Sequence, residues 1–145
     1  MIAGMLRMDS PERAFAWVVG ALVTVAAAFW STSAAMVTVW NSSGTYSHGF
    51  FIVPAFLWLV WGRRQALAAL SIEPCWWALA VLPAIGAVWM ASHWMAMALP
   101  SQVAMVAMVP AVIAAAFGIA WARALLFPLA FLFFGIAFWP GWVPF

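Results

Sequence analysis

The sequence predicts an all-α, polytopic integral membrane protein with about five transmembrane helices. Three observations carry that prediction. The 145-residue chain is 70% hydrophobic and only 6% charged, where a soluble domain has about 25% charged residues. Too little polar surface exists to cover such a globule in water. The apolar residues fall into long runs separated by short polar or Pro- and Gly-bearing connections. The basic residues sit in alternate connections, as the positive-inside rule requires of a chain that crosses a bilayer repeatedly.

Residues 1–13 hold Arg7, Asp9, Glu12 and Arg13, four of the eight charged residues. Ser10 followed by Pro11 is a helix start, with Ser as the N-cap and Pro at the first helical position. The first span is expected over 15–34, about the length a helix needs to cross a bilayer. A cleaved signal peptide is the competing reading, because Ser33, Ala34 and Ala35 are small. The apolar run exceeds the usual ~7–15 residues, and the leading segment has no net positive charge, which argues against it. Residues 35–48 are mixed. Trp40 and Tyr46 suit the headgroup level, and Asn41, Ser42, Ser43 and Gly44 have turn chemistry.

The second span, 49–61, is short. Arg63 and Arg64 can extend it by reaching for the headgroups with apolar stems, and Pro54 lies near its start, where it costs least. Residues 62–75 read as a polar loop with Arg63, Arg64, Gln65 and Glu73, closed by Pro74. A third span is expected over 76–94, followed by a turn over 95–101 with Pro100. A fourth covers 103–121 and stops at Arg123. A fifth covers 125–139 and stops at Pro140, Gly141 and Trp142. Arg7, Arg13, Arg63, Arg64 and Arg123 then all face the cytoplasm, with the N-terminus. Residues 41–48, His93 and the terminal aromatic segment face the other side.

His48 is the candidate catalytic residue. It adjoins Tyr46 and Ser47 at the end of a span, and Gly49 leaves room for a close approach. An ionisable residue there can act as acid, base or hydrogen-bond anchor. Alternatively it orders the turn by bonding loop carbonyls. No carboxylate on its side can orient it, so a Ser-His-Asp arrangement cannot be built. His93 reads as a boundary residue beside Trp94. Two His without acidic or thiol companions make no metal site, and no cofactor is expected. Cys75 is alone, so no intrachain disulfide forms. A nucleophilic Cys needs a base or positive field, and both His are expected on the opposite side. No clustered basic face exists for nucleic acid; the bilayer is the expected partner. No internal repeat supports an inverted-repeat transporter.

Trp40, Thr45-Tyr46-Ser47-His48-Gly49-Phe50-Phe51-Ile52-Val53-Pro54 and Leu57-Trp58-Leu59-Val60-Trp61-Gly62-Arg63-Arg64 resemble the N-terminal signature of the exosortase family. Residues 122–134, Ala-Arg-Ala-Leu-Leu-Phe-Pro-Leu-Ala-Phe-Leu-Phe-Phe, resemble that family's central motif. The form it is most similar to is exosortase A-like, from exopolysaccharide-linked systems of Gram-negative bacteria. The resemblance implies a multi-span inner-membrane cysteine peptidase or transpeptidase. Its substrates carry PEP-CTERM sorting signals: a Pro-Glu-Pro motif, a transmembrane helix and a basic cluster. It implies a catalytic Cys, Arg and His downstream of the central motif, so the chain is expected to lack them; neither Cys75 nor Arg123 takes those roles. A non-enzymatic membrane scaffold subunit and a transporter fragment using His48 as a proton site are the alternatives.

Overall fold

The computed structural model describes residues 10–42, 44 and 46–136. Every element in it is helical: α1 Pro11–Ala28, α2 Trp30–Ser42, α3 Gly49–Gly62, α4 Arg64–Ala69, α5 Trp76–Trp94, α6 Ala98–Phe117, α7 Ile119–Ala124 and α8 Leu126–Leu132, with a 3₁₀ turn at Phe133–Gly135. Three helices, α1, α5 and α6, are long and apolar enough to cross a membrane. Two shorter apolar segments are Gly49–Gly62 and Leu126–Gly135. Large apolar side chains point outward, among them Trp30, Phe51, Trp58, Trp76 and Trp94. Water would not tolerate so continuous an apolar exterior. The chain is an all-α polytopic membrane protein.

Local chemistry sets the helix ends. Ser10 accepts from the Arg13 N–H at 3.3 Å, with Pro11 in the first turn. α1 buries Ala14, Val18, Ala21 and Val25, one stripe at helical spacing. The stretch 15–34 is divided between two helices, because α1 ends at Ala28 and Phe29 leaves the helical region at φ −108°, ψ 45°. The Ser33 hydroxyl reaches back to the Ala26 carbonyl at 2.9 Å. A straight helix would separate those residues by about 10 Å of rise, so the break is a sharp bend. Asn41 and Ser42 do not form a turn as expected; they close α2, and Ser42 bonds the Thr38 carbonyl.

The 62–75 connection is also more than a polar loop. It contains α4, whose Leu67 is fully buried against the core, while the Glu73 side chain is exposed. Residues 103–121 are interrupted at Gly118, which ends α6 at φ +106°, ψ 167°. From 125–139, the structure shows α8 and the 3₁₀ turn. Residues 137–139 and the expected stop at Pro140, Gly141 and Trp142 lie outside the described residues, as do Arg7, Asp9, Ser43 and Thr45.

α6 is the central helix, with eleven buried residues, whereas α5 on its outside buries only Ala78 and Ser92. α1 and α3 run antiparallel, since Phe15 near the start of one meets Trp61 near the end of the other, edge to face at 5.0 Å. Arg64 donates to the Trp61 carbonyl at 2.7 Å and lies 4.1 Å from its ring centroid. Arg63 donates to the Ala124 carbonyl at 3.4 Å. Both guanidiniums thus serve helix C-termini, where cations are favoured. These contacts define an arginine end of the bundle. The opposite end carries the α1–α2 bend, His48 and His93. Buried Trp121 stacks on Phe117 at 4.7 Å, and its indole N–H meets no acceptor among the described residues.

The α5–α6 turn closes with Ala96 N–H on the His93 carbonyl (3.1 Å) and Met97 N–H on the Ser92 carbonyl (2.9 Å). This is a Schellman motif, whose left-handed position usually holds Gly. Here Ala96 occupies it at φ 54°. Ala96→Gly relieves the Cβ penalty and is expected to stabilise the protein by about 0.5–1 kcal/mol. Thermal unfolding in detergent reads the gain; a fall in stability would refute it.

Candidate functional site

Three short turns lead the chain into α3: Gly49 N–H bonds the Tyr46 carbonyl, Phe50 that of Ser47 and Phe51 that of His48, at 2.9–3.2 Å. The Ser47 hydroxyl donates to the Gly44 carbonyl at 3.1 Å. His48 is thereby presented at the head of α3, exposed, with its Nε2 3.2 Å from the Phe134 carbonyl. That contact joins positions 86 residues apart. The Tyr46 ring lies 6.4 Å from the His48 ring.

Trp40 makes the second half of this junction. Its indole N–H donates to the Gly135 carbonyl at 2.8 Å. Its ring lies where a Cβ on Gly49 would fall, and 3.3 Å from one built on Gly135. It is therefore an indole clamped between two glycines, beyond the headgroup-level residue expected from its position. Gly49 has to be glycine because α3 passes directly against that ring. Together, Trp40 and His48 hold successive carbonyls, Phe134 and Gly135, where the chain leaves α8. An apolar cavity of about 280 Å³ lies beneath the clamp, between α1, α2, α3, α6 and α8. Trp40, Met36, Ile52 and Leu132 line it.

A second feature of this end escaped the sequence reading. The buried polar side chains among the described residues are Thr32, Ser92, Ser101 and Gln102. All four line one cleft of about 290 Å³ with Ser31 and His93. Thr32 accepts from the Trp89 indole at 2.8 Å, and the His93 ring stacks on Trp89 at 5.0 Å and 15°. The Ser92 and Ser101 hydroxyls bond their own helices at Val88 and Met97. Single polar residues scattered through apolar runs are the only trace this cleft leaves in the sequence, because its members come from three helices.

Cys75 stands apart from both features. It precedes α5, half-buried, packed against a small cluster of Ala78, Ala114 and Ala115. His93 is at the other end of that helix, about 27 Å away by helical rise. No three His, Cys, Asp or Glu residues among those described could jointly hold a metal ion. The His48 site can position a backbone, and among the described residues it holds no nucleophile beyond the exposed Ser47 hydroxyl.

The model of a family described as transmembrane exosortase matches residues 40–144. The match begins at Trp40 and spans both halves of the clamp. Among curated proteins and solved structures, nothing matches the chain.

Proposed function

Because the chain belongs to the transmembrane exosortase family, we propose that it forms the membrane scaffold of a cysteine-type peptidase or transpeptidase of the bacterial inner membrane. Its substrates are exported proteins with a C-terminal PEP-CTERM sorting signal. The observation that carries this reading is the clamp. The residues of the N-terminal signature, Trp40 and His48, grip the chain at the end of the 122–134 motif, on its last residue and the one after it. The scaffold thus fixes the point from which the following segment emerges. His48 is a positioning residue in this reading, and the nucleophile is not Cys75.

The test is processing of a signal-bearing substrate, measured per folded molecule of the gene's full-length product. Cys75→Ser is expected to leave it unchanged. His48→Gln keeps a donor and an acceptor; losing the neutral hydrogen bond to the Phe134 carbonyl costs about 1 kcal/mol and lowers processing no more than about tenfold. Loss of a general base would cost about 10²–10⁴. A thousandfold fall at normal abundance would make His48 the base. Lost activity in Cys75→Ser would return the nucleophile to this chain. Full-length protein that is abundant yet processes nothing would favour a scaffold subunit over an enzyme.

The N-terminus is assigned to the cytoplasm, with five crossings. Support comes from the alternation of basic connections and from Arg63 and Arg64 bonding helix termini at one end of the bundle. Reporter fusions after Gly44 and after Gln65 are expected on opposite sides; a shared side would refute the arrangement.

A further inference from the structure

Gly118 breaks α6 from α7, and α7 and α8 then pack back along α6. The three helices leave a cleft of about 450 Å³ walled by Pro110, Ile119, Leu126, Ala130 and Phe133. One charged residue, Arg123, lines it. Arg123 is exposed, and its guanidinium makes no hydrogen bond or ion pair with any described residue. Arg63 and Arg64, by contrast, are bonded to helix carbonyls. Arg63 is anchored on Ala124, the next residue after Arg123, which raises the positive potential at this mouth. Among the described residues, no carboxylate lines the cleft.

The geometry points to a site for one anionic phospholipid, with an acyl chain in the cleft and its phosphate on Arg123. The apolar wall faces the bilayer through Leu126, which is 68% exposed, and would accept any acyl chain. The headgroup preference comes from the guanidinium, whose planar fork matches phosphate oxygens bidentately. A basic group at the end of an apolar inter-helical cleft is the chemistry that selects anionic headgroups over zwitterionic ones.

The full chain is reconstituted in nanodiscs of phosphatidylcholine with phosphatidylglycerol as the minority lipid, and retained lipid is measured by native mass spectrometry. Wild type is expected to keep phosphatidylglycerol over phosphatidylcholine. Arg123→Gln should weaken phosphatidylglycerol retention about fivefold, the effect of one cation at a membrane surface, and spare phosphatidylcholine. Ala130→Trp, at an exposed position, fills the cleft without changing charge and should weaken both. Arg64→Gln removes the same charge elsewhere and should weaken neither. Equal losses in Arg64→Gln and Arg123→Gln would reduce the effect to a diffuse surface potential and overturn the site. So would undiminished retention in Ala130→Trp, or displacement of the lipid by inorganic phosphate alone.

Discussion

Gly118→Ala is expected to destabilise the protein by about 2–6 kcal/mol. Two costs combine. At φ +106° and ψ 167°, Gly118 lies in a region open essentially to glycine alone, and a residue with Cβ pays about 1–3 kcal/mol of strain there. The new Cβ would also meet the Glu73 carbonyl oxygen. That oxygen is backbone, and the Glu73 N–H is bonded to the Phe117 carbonyl at 3.1 Å, so the loop cannot withdraw without breaking the junction. Overpacking of this kind adds about 1–3 kcal/mol. Glu73→Ala is the control. Among the described residues its exposed side chain bonds only Ser71, and its removal should cost under about 0.5 kcal/mol. Detergent thermal unfolding reads both. A Gly118→Ala protein as stable as wild type would show that the α6–α7 break is adaptable.

Gly49→Ala is expected to cost about 2–4 kcal/mol and to open the clamp. Its Cβ would occupy the space of the Trp40 indole, and the ring has no slack because its N–H is held by Gly135. Moving the ring adds the loss of that hydrogen bond, about 1 kcal/mol, to an overpacking cost of about 1–3 kcal/mol. Trp40→Phe alone removes the donor and shrinks the ring. If the two residues act through one contact, Gly49→Ala in the Trp40→Phe background should cost at least 1 kcal/mol less than in wild type. A double-mutant cycle on unfolding midpoints measures it. Strict additivity would mean that the clamp is not what restricts position 49.

The class of this protein was legible in its sequence because hydropathy is local. Each apolar run must hydrogen-bond its own backbone when no water is present, and a helix is how a single run does so. The same locality places helix starts at Ser10-Pro11. The signature around Tyr46, Ser47, His48 and Gly49, and the motif over 122–134, could likewise be picked out residue by residue. What the sequence could not contain is which run meets which. Lipid tails are as apolar as Leu or Val, so an apolar run does not mark which face is packed and which is bare. Only the tertiary structure decided that α6 is enclosed while α5 stays outside, and that Phe29 bends the chain without Pro or Gly. It alone brought Trp40 to Gly135 across 95 residues, gathered Thr32, Ser92, Ser101 and Gln102 into one cleft, and left the Arg123 guanidinium without a partner among the described residues. These depend on shape and on hydrogen bonds between distant groups, and a buried polar atom in hydrocarbon finds its partner through the fold of the chain.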